Sequence, residues 1–234
     1  MFATHSKFWT TPLLVFAVLS ITSQPAADAD TGAILAAAPA PRAAAASGPV
    51  AIVDQRHGVM IFNLASQNWN RDKPSWSWSP RGDSWRNLSD VKFRSYGGRN
   101  TLLVTASSGR AATVDYATRR VTWTATPGGN PHSIELLPSG AVVVASSATG
   151  RLTVYGKGHE TSDSHVELPD AHAVLWDAKL NQLWALGGNQ LCRYSVEGPE
   201  ARPKLRRAGC VSTPPGGHDL SPVHGNPAEM WLST

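Results

Sequence analysis

Three observations predict an all-β chain built from repeated four-stranded antiparallel blades. Residues 132–156, HSIELLPSGAVVVASSATGRLTVYG, read as a short apolar strand, a Pro-Ser-Gly turn, a Val-rich strand, a Gly-containing turn and a third strand. The same plan recurs as HAVLWDAKLNQLWALGGNQLCRYSV from His172 and opens again as HDLSPVHGNPAEMWLST from His218, steps of 40 (172 − 132) and 46 (218 − 172). Upstream, DVKFRSYGGRNTLLVTASSGRAATVDY has this layout with Asp90 near the His position. A period of forty-odd residues carrying about four strands is the pattern of β-propeller blades, WD40-like in layout.

The N-terminus belongs to no blade. Residues 1–29 read as a secretory signal peptide, with Lys7 for charge, PLLVFAVLSI as apolar core and Ala27-Asp28-Ala29 as small residues for cleavage. That core is too short to span a bilayer comfortably, and no Cys lies near it to take a lipid. The mature chain is therefore expected to be secreted, without a stable membrane anchor. Residues 30–49 are an Ala/Pro-rich linker with too little apolar bulk to pack, and residues 50–234 form the propeller domain.

Within that domain, residues 50–53 and 59–62 match the second and third strands of a blade. The Trp-rich stretch NWNRDKPSWSWSPRGDSW supplies its outer strand and a long loop. Residues 90–94, 102–106, 112–116 and 121–124 make one complete blade, and two more begin at His132 and His172, with outer strands near 165–168 and 204–207. An inner strand near Asp219 and a second at 229–232 follow. Three full blades and two partial ones result, so the propeller is expected to be incomplete at its C-terminus. Such an end leaves a blade face and strand edges uncovered. Cys192 and Cys210 fall on neighbouring strands of one hairpin; an exported chain could bridge them, and strand register decides.

His132, His172 and His218 follow the turns GGNP, LPDA and PPGG and open innermost strands. Those strands ring the axis, so the imidazoles converge on one mouth of the channel, and Asp90 could join them. Three imidazoles and a carboxylate suit Zn²⁺ or Mn²⁺. Asp219, beside His218, could hold a ring nitrogen. Equally, a His at a blade corner can simply hydrogen-bond the preceding turn, and both readings stand. His224 could serve either one. His57, His159 and His165 read as surface residues.

Lys92 and Arg94 could meet an acidic ligand in the channel, or could pair with Asp90 and with Glu135 of the next blade, the arrangement favoured here. Trp69, Trp76, Trp78 and Trp85 could stack on sugar rings, but packing between blades is the better reading. Arg81-Gly82-Asp83 spells a cell-adhesion tripeptide, too short to separate from a turn. The net charge of +4 comes without a dense basic block, so nucleic acid is not an expected partner. No G-x-S-x-G elbow, Walker loop, dinucleotide fingerprint or H-E-x-x-H occurs.

The segments IVDQRHGVMIFN, DVKFR, NPHSIELLPSG, AHAVLWD, LWALGG and GGHDLSPV together resemble an actinobacterial family of exported propellers known as a domain of unknown function. The likeness covers residues 50–234. It implies a six- or seven-bladed ring, an exported location and no established activity; members continue past the last residue of this chain, in keeping with truncation. More distantly, the recurrent His resembles propeller lyases of the oligogalacturonide lyase and streptogramin lyase types, whose channel-mouth histidines hold a metal or act on substrate. Two functions follow as expectations. One is a module that binds a ligand or protein partner across the channel face, anionic polysaccharide included. The other is a metal-dependent lyase of acidic carbohydrates, in which His132, His172 and His218 hold the ion, Arg94 or Lys92 neutralises substrate and Asp219 or a free His is the base.

Overall fold

A computed structural model of the chain describes residues 48–66, 69–70, 73–162, 164–223 and 225–234. The expected signal peptide, nearly all of the linker, and His224 lie outside the described residues. Among the described residues, no helix is long and apolar enough to cross a membrane.

The described residues form seventeen strands and one 3-10 turn. The first sheet holds β1 (Pro49–Asp54), β2 (Gly58–Asn63) and β3 (Trp76–Trp78). Three four-stranded sheets follow. They are β4 (Leu88–Tyr96) to β7 (Val121–Ala125), β8 (Pro131–Leu136) to β11 (Ser164–Glu167), and β12 (Ala173–Asp177) to β15 (Lys204–Ser212). Their middle strands are β5 (Arg99–Ala106), β6 (Arg110–Asp115), β9 (Val142–Ser146), β10 (Arg151–Tyr155), β13 (Gln182–Leu186) and β14 (Gln190–Glu197). A final pair, β16 (Asp219–Val223) and β17 (Asn226–Ser233), completes the set. Every neighbouring pair is antiparallel and sequential, the up-and-down order of a propeller blade. The three full blades and two partial ones expected from the sequence are thus present, and the described blades do not close into a ring.

Period-two alternation explains the stacking, because strands such as β5 and β9 are apolar on both faces. Leu102 and Val104 of β5 pack toward Ile61 and Trp76 of the preceding sheet, whereas Leu103 packs toward Ile134 and Val144 of the following one. On β9, Val142 and Val144 face backwards, and Val143 and Ala145 face forward to Leu183 and Tyr194. Leu186 turns instead to Leu220. Four cores therefore fill the gaps between five sheets. Each buried Leu or Val contributes about 1.5–3 kcal/mol, which is why a strand such as VVVAS needs no polar face.

Trp76, Trp78 and Trp85 follow the packing expectation, and Trp69 does not. Trp76 is buried, stacks on Tyr116 at 5.4 Å between ring centres and donates from Nε1 to the Tyr116 carbonyl. Trp78 meets Trp85 edge to face, whereas Trp69 stacks on Phe62 and stays exposed. In the adhesion-like tripeptide, Gly82 takes a φ of 102° and Asp83 opens the 3-10 turn, paired with Arg86 at 2.8 Å. Cys192 and Cys210 stand directly opposite on β14 and β15 and are bridged, with Cα atoms 4.0 Å apart.

Candidate functional site

The innermost strands β1, β4, β8, β12 and β16 neighbour one another in turn, so residues 50–53 form a first strand and not the second strand expected. The turns before β8, β12 and β16 set what stands at the mouth. Residue i−2 before each His is left-handed: Asn130 at φ 62°, Asp170 at 53° and Gly216 at 89°. Asn, Asp and Gly are the residues that adopt this conformation at least cost. Backbone hydrogen bonds then tie the turns together. Ser147 and Ala148 donate to the carbonyls of Asn130 and Gly129, Leu168 donates to Gly150, and Gly188 donates to Pro169. Gly216 and Gly217 both donate to the Gly188 carbonyl. The fit is close enough that a Cβ on Gly217 would lie 2.4 Å from the Gly187 oxygen.

This rim brings His132, His172 and His218 together. Ring centres are 4.4 Å apart for His132–His172, 5.1 Å for His172–His218 and 5.9 Å for His132–His218. One nitrogen from each ring lies within 4.8 Å of the other two. His172 directs Nδ1 at the Asp170 carbonyl, 3.0 Å away, and at its carboxylate, 3.2 Å away. The turn contact expected of a blade-corner His is therefore made, and it leaves Nε2 free. His132 meets Asn130 Nδ2 at 2.9 Å through Nε2, and that amide also reaches Ser147. Burial, reinforced by the two neighbouring imidazoles, holds the His132 pKa below its ordinary value. His218 is exposed.

Asp90 stands apart from this group. A β-bulge between Leu88 and Asp90 pairs them with Ala106 and Thr105, and one between Pro131 and Ser133 pairs those with Ser146 and Ala145. The residue matching His132 is therefore Ser89, and Asp90 matches Ser133. Ser89 donates to the Pro131 carbonyl at 2.7 Å, while Asp90 accepts from Ser133 Oγ at 2.9 Å and from Ile134 N at 3.2 Å. The sequence carries the signal, since Asn87-Leu88-Ser89 parallels Asn130-Pro131-His132 and Asn87 is also left-handed.

Below the mouth runs a self-satisfied polar spine. Lys92 Nζ lies 3.1 Å from Asp90 and donates to Ser133 Oγ and to the carbonyls of Ile134 and Val174, at 2.6, 3.0 and 2.7 Å. Arg94 takes the fully buried Glu135 in a two-pronged pair, and Glu135 also accepts from Leu136 N and Trp176 N. Both cations are thus consumed internally, as the pairing reading expected. Asp219 accepts from Leu220 N at 2.8 Å instead of orienting the His218 ring. Desolvation, then the Asp90 charge, raise its pKa above the usual carboxylate value. Of the remaining histidines, His57 pairs with Asp54 in the β1–β2 turn and His165 lies near Glu167 on the outer strand β11.

Residues 11–234 match the profile of a family of unknown function, DUF6528. No curated protein matches the sequence. Among solved structures, one similar chain is in the crystal structure of BBS1N in complex with ARL6DN, soaked with mercury. Its TM-score is 0.54 at 16% identity, over 77% of this chain and 56% of that one. Another is in the crystal structure of the mitotic checkpoint complex, with a TM-score of 0.59 at 9% identity, over 74% of this chain and 54% of that one. The chain spans little more than half the length of these structures, and the likeness shows the propeller fold alone.

Proposed function

The chain belongs to this DUF6528 family, and on that premise we propose that it is an exported propeller module binding a protein partner or ligand at the histidine-lined mouth of its channel. The observation carrying this reading is the convergence of His132, His172 and His218 from three blades above a spine that keeps its charges to itself. Recognition at the mouth uses exposed groups such as His218 and needs nothing from the spine. The Cys192–Cys210 bridge supports export, because structural disulfides persist in oxidising compartments. A protein partner is in keeping with the similar chains, which occur in a BBS1N–ARL6DN complex and in the mitotic checkpoint complex.

The lyase alternative asks for a free cation beside the histidines, and Arg94 and Lys92 are both held by carboxylates. Binding is the reading the geometry supports better. A photo-crosslinking amino acid in place of Pro215, in the exposed turn before His218, tests it against the same probe in place of Arg206 on the outer strand β15. With protein exported from its native host, a discrete adduct from position 215 and none from 206 is expected. Equal labelling at both positions, or none, overturns the proposal. Release of unsaturated ends from polygalacturonate would establish the lyase in its place.

A further inference from the structure

We propose that His132, His172 and His218 form a three-histidine site for a divalent transition-metal ion of the Zn²⁺ class, with one coordination position left open toward solvent. This deepens the channel-mouth reading by giving that mouth its chemistry: an open position on such an ion takes a carboxylate or imidazole from whatever binds there.

Geometry carries the argument. Three nitrogens within 4.8 Å of one another need only small side-chain rotations to meet one ion, since Zn–N bonds of about 2.0–2.1 Å bring ligand nitrogens to roughly 3.3 Å. The blades hold one ring in a ligand-ready pose and a second within one amide flip of it. His172 has Nδ1 fixed by the Asp170 carbonyl and carboxylate, which leaves the Nε2 lone pair available. On His132, Asn130 Nδ2 as placed donates to Nε2 and so puts the ring proton on Nδ1, and Nδ1 takes an ion only once that amide is turned over. In the turned orientation Oδ1 accepts from Nε2–H and from the Ser147 hydroxyl, and the Nδ1 lone pair is freed. His218 has no side-chain hydrogen bond among the described residues and is exposed, free to complete the set.

The donor set also fixes the class of ion. Three neutral imidazoles without a carboxylate suit Zn²⁺, Co²⁺, Ni²⁺ or Cu²⁺ and disfavour Mg²⁺ and Ca²⁺, which require oxygen. Asp90 is committed to Lys92, Ser133 and Ile134, so the fourth position falls to solvent or to a bound group. Three histidines with an open place is the arrangement of reactive, not structural, zinc.

The test uses the full exported chain without a polyhistidine tag, its disulfide intact, stripped by a chelator and titrated with Zn²⁺ by calorimetry and with Co²⁺ by visible absorption. One ion per chain and the d–d bands of four-coordinate Co²⁺ are expected. In His132→Ala and His218→Ala, folded by circular dichroism, affinity should fall by at least about a hundredfold, the most that loss of a mere outer partner costs. His165→Ala, on the outer strand, should change nothing. No binding by the folded wild type overturns the site, as does unchanged affinity in both mouth variants. Because the titration needs no partner, a failed metal site alongside a persistent cross-link at position 215 would refute this inference and leave the binding face standing.

Discussion

Arg94 grips Glu135 of the neighbouring blade through two parallel hydrogen bonds, Nε to Oε1 and Nη2 to Oε2, both 2.7 Å. Glu135 is fully buried, and the Arg94 side chain is 30% exposed. Removing the carboxylate would strand the guanidinium and two backbone donors, so Glu135→Ala should cost about 3 kcal/mol, the lower end for a broken buried pair because Arg94 can partly rehydrate. Urea unfolding measures it. A loss below about 1 kcal/mol would mean that the pair is no better than a surface salt bridge.

Double substitution Cys192→Ala/Cys210→Ala removes a link between residues 18 apart in sequence. Chain-entropy arguments give about 3 kcal/mol for such a loop, and the variant should also unfold at the same urea concentration with or without reductant. Wild-type protein insensitive to reductant would show that the bridge contributes little.

Gly217→Ala places a methyl group 2.4 Å from the Gly187 oxygen and 2.8 Å from the Leu186 side chain. Backbone must yield there, at a cost of about 1–3 kcal/mol. The shift moves the turn that carries His218, so Zn²⁺ affinity should drop along with stability. Stability lost without any change in affinity would separate the rim from the site.

Acidification should destabilise the metal-free chain through His132. Its folded pKa lies below the ordinary 6.5, lowered by burial, then by His172 and His218, against the opposing charges of Asp170 and Asp90. The unfolded chain therefore takes up its proton first. This contribution is complete above 6.5 and is lost as pH falls through the folded value. Thermal unfolding at about pH 7.5 and about pH 5.5 should show a larger drop for wild type than for His132→Asn. Equal drops would place the acid sensitivity elsewhere.

Strand positions are legible in the sequence because runs such as Leu102–Leu103–Val104 and Val142–Val143–Val144 must bury both faces and are closed off by Gly-bearing turns. The three histidines are legible for a related reason: each opens an inner strand after a turn containing Asn, Asp or Gly. Ser89 is legible only through the turn before it, where Asn87-Leu88-Ser89 parallels Asn130-Pro131-His132, and an alignment by strand layout puts Asp90 there instead. The pairing of Lys92 with Asp90 and of Arg94 with Glu135 is legible too, but the other partners of Lys92 are not. Ser133, Ile134 and Val174 lie 41 to 82 residues away, and only the crossing of neighbouring blades brings them near.

Lys92 has a kinetic consequence as well. Each blade pairs strands adjacent in sequence, so any one can form early and independently, as in a repeat array. The ammonium joins β4 to β8 and, through the Val174 carbonyl, to β12. Fraying of one blade would strip a partner from a charge shared by two others. Folding that begins locally thus ends as a joint event across three blades, and partial unfolding from either side meets a barrier at the spine.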